Sequence, residues 1–134
     1  MIVYCDTSAL YALMDASEPR HAQASSTFIA LIKSGRQLMC NNYVMLETVT
    51  LIQRRLGMDA LRGFASVILP YLDVFQIDLP THERVLLAVL TAGQRQLSFT
   101  DCSSFDTMRT LQATECFAYD QHFVEQGFAP VGAS

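Results

Sequence analysis

The run Ile2-Val3-Tyr4-Cys5-Asp6-Thr7-Ser8-Ala9-Leu10 decides the fold. Its first four residues are apolar, three small polar residues follow, and apolar residues then resume through Met14. A short buried strand that enters a helix through an aspartate cap accounts for this order. The unit recurs downstream. Gln37-Leu38-Met39-Cys40 reads as a second strand, with Asn41-Asn42 as the turn or cap before a helix over Tyr43 to Leu56. Val74 to Leu79 reads as a third, Cys116 to Tyr119 as a fourth, and Phe128 to Val131 as a weak fifth. Between them, helical spacing marks His21 to Ser34, Met58 to Leu69 ahead of Pro70, Pro80 to Gly93, Ser98 to Gln112, and a short turn from Asp120 to Gln126. Gly35, Gly57 and Gly93 fall where helices stop, and Ser98-Phe99-Thr100-Asp101 has the capping-box pattern. Short apolar strands alternating with helices build a parallel sheet covered on both faces. The expected architecture is a three-layer α/β domain, one unit over residues 1–134.

Composition narrows the function. Half of the chain (51%) is hydrophobic, which excludes disorder, and no uncharged apolar run reaches the roughly 18 residues of a membrane span. The start of the chain has neither a basic segment nor a cleavable hydrophobic core, so a cytoplasmic protein is expected. Cys5, Cys40, Cys102 and Cys116 are scattered without a C-x-x-C pair and read as reduced, buried thiols. The net charge is −4 and Lys33 is the only lysine, which argues against a basic surface for duplex DNA. Nucleic acid remains open as a substrate, because a carboxylate-held metal ion lowers net charge at the place where phosphate binds.

Connectivity places four carboxylates on one edge. In such a sheet the strands' carboxyl ends lie together, and ligands bind there. Asp6 follows the first strand and Asp120 the fourth, Glu47 lies early in the helix after the second, and Asp101 opens the helix that returns to the fourth. Taken singly, each aspartate is equally well an ordinary helix cap. Glu47 shares a helix face with Val44, Thr48 and Leu51, so it is expected to point inward as a buried carboxylate in need of a cation. With few basic residues available, a hard divalent ion, Mg²⁺ or Mn²⁺, is the economical partner.

These residues carry a resemblance. Asp6-Thr7-Ser8 after the first strand, Glu47 in a helix, Ser98-Phe99-Thr100-Asp101 and Tyr119-Asp120-Gln121-His122-Phe123 resemble the ordered motifs of PIN domains. The match is closest to the small ribonucleases that act as toxins of VapC-type toxin–antitoxin modules, and it covers essentially the whole chain. The resemblance implies a sheet ordered 3-2-1-4-5, a Mg²⁺- or Mn²⁺-dependent endoribonuclease acting on RNA, a homodimer, and a cognate antitoxin that blocks the site. It carries the family's acidic residues onto Asp6, Glu47, Asp101 and Asp120, as catalytic groups and metal ligands. Gln121 stands where the family often has a basic residue, which moves the phosphate contact elsewhere.

Other side chains rank lower. Thr7 or Ser8 can offer a hydroxyl to the metal shell, against a simple capping role. Asp106 lies about 140° round the helix from Asp101 and reads as peripheral. His21, His82 and His122 lack metal-ligand spacing and read as surface or cap residues, and Arg54, Arg55 and Arg62 as partners of nearby carboxylates ahead of RNA contacts. A receiver domain needs a second acidic residue beside Asp6 and a late lysine, and a haloacid-dehalogenase-like phosphatase needs D-x-D where position 8 is Ser. Both fail. The remaining alternative is a catalytically silent PIN-like module that binds RNA or protein.

Overall fold

The computed structural model describes residues 1–132. Strand β1 (Ile2–Cys5) leads into α1 (Thr7–Met14) and α2 (His21–Lys33), and β2 (Gln37–Asn41) into α3 (Asn42–Leu56) and α4 (Met58–Gly63). After β3 (Leu72–Phe75) come α5 (Leu79–Ala92) and α6 (Phe99–Leu111), then β4 (Glu115–Phe117), α7 (Gln121–Glu125) and β5 (Ala129–Pro130). All neighbours pair in parallel, in the order β3-β2-β1-β4-β5. Val3, Tyr4 and Cys5 are all fully buried. Successive side chains point to opposite faces of a sheet, so burial of three in a row means helices cover both faces. The expected three-layer α/β architecture is observed.

Three boundaries move, each for a local reason. The third strand spans Leu72–Phe75 rather than Val74 to Leu79. Asp78 is committed to capping α5, its carboxylate accepting from Thr81 N at 3.0 Å, and Ile77 N donates to Asn42 Oδ1 at 2.7 Å instead of to a ladder. The fourth strand ends at Phe117, because Tyr119 N donates to the Ser8 hydroxyl. The segment expected as one helix up to Pro70 is α-helical only through Gly63. It then widens into a π turn (Phe64–Ile68) and tightens into a 3₁₀ turn (Leu69–Tyr71), and Phe64 and Ile68 stay buried. Elsewhere the expected stops hold. Gly93 ends α5 at φ +61°, a left-handed conformation that glycine adopts without steric cost. All four cysteines are free and buried.

Buried hydroxyl and amide groups lock α6 and α3 onto the sheet. Asn41, fully buried at the end of β2, caps α3 by accepting from Val44 N at 2.8 Å. Its amide donates to Ser103 Oγ and Thr107 Oγ1 of α6, both at 3.1 Å. Tyr4 on β1 donates to Ser104 Oγ at 2.9 Å. Thr48 of α3 donates to Thr7 Oγ1 at 3.0 Å. Unmade bonds to such groups are costly inside a protein, so these contacts fix where the start of α6 sits relative to the ends of β1 and β2.

Candidate active site

Three of the four expected carboxylates lie along the carboxyl edge of the sheet, close enough for their charges to act on one another. Asp6 is buried between β1 and α1, its carboxylate accepting from Ser8 N at 3.2 Å and from Ser8 Oγ at 2.7 Å. The Ser8 hydroxyl in turn accepts from Tyr119 N at 3.0 Å, so one small side chain joins the ends of β1 and β4. Asp101 is buried in the first turn of α6 and completes a capping box. Its backbone N–H donates to Ser98 Oγ at 3.0 Å, and its carboxylate accepts from Ser98 N at 3.2 Å. Asp120 caps α7, accepting from His122 N at 2.9 Å.

The capping and the clustering readings both hold. Each aspartate caps a helix, and each also lies within the field of the others. Burial pushes the Asp6 carboxyl up from 3.8 to about 6, against the two Ser8 hydrogen bonds, and the charges of Asp101 and Asp120 add to the rise. Asp101 is raised as well, first by burial and then by the Asp120 charge. Among the described residues no Lys or Arg pairs with any of the three. Such a set of oxygen donors, without a Lys or Arg as fixed counter-cation, has the chemistry of a hard divalent-ion site. As the side chains stand, turned onto their caps, no three acidic, His or Cys groups among the described residues converge into an ion cage.

Glu47 departs from expectation. It is exposed rather than buried. The inward stripe of α3 runs through Val44, Thr48 and Ile52, and Glu47 lies one residue, about 100°, off that stripe. It sits instead on the rim, lining a shallow apolar hollow with Tyr43, Leu46, His82, Phe99 and Thr100, the residue before Asp101. Thr7 is no free ligand either, since its hydroxyl is engaged with Thr48 and the Val44 carbonyl. Asp106 is peripheral as expected, in a bidentate pair with Arg84 at 2.9 Å. His21 bonds the Ala12 carbonyl, His82 the Tyr43 hydroxyl, and Arg62 pairs with Asp59.

Two residues take roles that sequence reading did not give them. Ser8 is the bridge that holds Asp6, and its only signal is its place two residues past an N-cap. His122 also approaches the carboxylates. Burial pulls its imidazole pKa down, but the Glu125 hydrogen bond and the charges of Asp120 and Asp101 outweigh this and leave it raised.

Comparison with known proteins agrees with this fold. The 23S rRNA-specific endonuclease VapC20 of Mycobacterium tuberculosis, from strains CDC 1551 and H37Rv, is 29% identical over 131 residues, covering 97% of this chain and 98% of the relative. The crystal structure of M. tuberculosis VapC20, described as a Sarcin-Ricin loop cleaving toxin, superposes with a TM-score of 0.81 at 30% identity, covering 96% and 97% of the two chains. PAE2754 from Pyrobaculum aerophilum shares the fold, at a TM-score of 0.57 and 19% identity, covering 97% and 90%. The PIN domain family model matches residues 3–129, from the strand that presents Asp6 to the one that follows Asp120, and the chain belongs to the PIN domain family.

Proposed function

We propose that this chain is a Mg²⁺- or Mn²⁺-dependent endoribonuclease that hydrolyses RNA phosphodiester bonds, acting as the toxin of a toxin–antitoxin module. One observation carries the reading: three aspartates from separate elements lie on one sheet edge within each other's field, without a Lys or Arg partner among the described residues. RNA as substrate is supported by the VapC20 relative, which is named for cutting 23S rRNA.

In this reading Asp6 and Asp101 are the principal ligands and Asp120 completes the set. Glu47, exposed on the rim, would help to hold the ion or orient the attacking water. A divalent ion held there lowers the pKa of bound water and neutralises charge building on the phosphate oxygens. Ser8 keeps Asp6 aimed at the edge, and the capping box keeps Asp101 at the head of α6. The cognate antitoxin would compete for the same edge, and a guanidinium suits three carboxylates as a stand-in for the ion. A homodimer is part of the proposal, with the exposed Leu86, Leu87 and Leu90 of α5 as apolar surface available to a second copy.

The capping bonds favour the alternative, a catalytically silent binding module, and one assay separates the two. Purified protein incubated with 23S rRNA and Mn²⁺ should yield discrete new 5′ ends, and EDTA should abolish them. Intact RNA with Mn²⁺ would favour the silent module, and unchanged cleavage in EDTA would remove the metal.

A further inference from the structure

Beside the aspartate edge opens a second cavity, of about 320 Å³, lined by Arg20, Gln23, Tyr119, Asp120, Gln121 and Pro130 among others. Its volume lies at the lower end of the roughly 300–1,000 Å³ of small-molecule sites, which suits one nucleotide and not a duplex. Arg20 comes from the turn before α2. Its guanidinium lies over the Tyr119 ring, 4.7 Å from the centroid, and among the described residues no carboxylate pairs with it. Four other cations are engaged, Arg36 with Glu115, Arg62 with Asp59, Arg84 with Asp106 and Arg109 with Gln126. Of the cations without a carboxylate partner among the described residues, Arg20 is the one that lines this cavity. The Tyr119 hydroxyl is buried and, among the described residues, has no hydrogen-bond partner. Tyr119 is also coupled to the edge, since its N–H binds the Ser8 hydroxyl that holds Asp6, and Asp120 is the next residue.

A polyanion approaching three carboxylates in a chain of net charge −4 needs a cation nearby. We propose that this cavity is the subsite for the RNA nucleotide adjoining the scissile bond, with Arg20 as a substrate-binding residue that takes its phosphate. The forked, planar guanidinium is suited to two phosphate oxygens, and the tyrosine ring beneath it holds the fork in place. The inference rests on the ribonuclease reading and extends it to substrate positioning.

The test measures binding rather than turnover. A fluorescein-labelled single-stranded RNA 12-mer is titrated by anisotropy at several salt concentrations, with Ca²⁺ replacing Mg²⁺ and the RNA checked as intact on a gel. Wild type is compared with Arg20→Ala, Arg20→Lys and, as a charge-matched control away from the cavity, Lys33→Ala. Thermal melts with Mn²⁺ report the aspartate edge separately. Arg20→Ala should weaken binding about tenfold and reduce the slope of log K against log salt by about 0.7, the loss of one single-strand phosphate contact. Arg20→Lys should recover the slope but only part of the affinity, Lys33→Ala should match wild type, and every variant should keep the Mn²⁺-induced melting shift. Wild-type affinity and slope in Arg20→Ala, or an equal loss in Lys33→Ala, would overturn the subsite alone. Failure of wild type to bind the RNA at all would remove the ribonuclease reading with it.

Discussion

At the scale of single residues, Asp6 combines opposing demands. It must be buried to be aimed, and burial beside two other aspartates makes its charge costly. Its carboxyl stands at about 6 in the folded protein against 3.8 ordinarily, on the order of 3 kcal/mol of linkage. The folded state therefore holds this proton more tightly than the unfolded chain. The corresponding stability is fully present below about pH 4 and is lost as pH rises through about 6. Melts in EDTA should show this fall between about pH 4 and 6, and Asp6→Asn should flatten it. A wild-type stability that rises steadily over that window would contradict the shift. Ser8→Ala makes a second test, because it removes both the hydroxyl that donates to Asp6 and the acceptor of Tyr119 N. It should cost about 1–2 kcal/mol in urea unfolding and lower RNA cleavage at least tenfold.

The elements show why some of this is legible in a sequence and some is not. β1 with α1 reads directly, because an apolar run, an aspartate and a resumed apolar run have one economical explanation. Asp101 reads as a cap and sits in the site for the same reason, since a helix start on the carboxyl edge is where both roles meet. Glu47 is misplaced because Val44 and Leu51 suggest a wider apolar face than α3 buries, and the inward stripe runs instead through Thr48, whose hydroxyl is satisfied by Thr7. The third strand shifts because Ile77 and Asp78 look like strand residues until their partners, Asn42 and Thr81, are known. Long-range polar contacts leave no local signal. Asn41 is the clearest case, joining β2, α3 and α6 through three hydrogen bonds. Asn41→Leu should unfold about 3 kcal/mol more readily, from a lost cap and stranded hydroxyls. A urea series giving less than about 1 kcal/mol would show that the network does not fix α6.

For the whole molecule, the fold's contribution is to bring carboxylates from positions 6, 101 and 120 to one edge without pairing them to a Lys or Arg among the described residues. No helix among the described residues is long and apolar enough to cross a membrane. Sedimentation equilibrium should report a dimer for wild type, and Leu87→Glu with Leu90→Glu should convert it to monomer, since both leucines are exposed. A wild-type monomer at micromolar concentration would remove the homodimer from the proposal. The central claim, that Asp6, Asp101 and Asp120 hold the ion that cuts RNA, is tested most directly at Asp6. An N-cap accepts Asn almost as well as Asp, whereas a metal site does not. The rate of RNA cleavage is measured against Mn²⁺ concentration for wild type and Asp6→Asn, both shown to be folded. The account predicts saturable Mn²⁺ activation in wild type and a loss of at least about a thousandfold in Asp6→Asn, not restored by more metal. Equal cleavage by the two proteins over the same Mn²⁺ range would return Asp6 to its capping role and contradict the account.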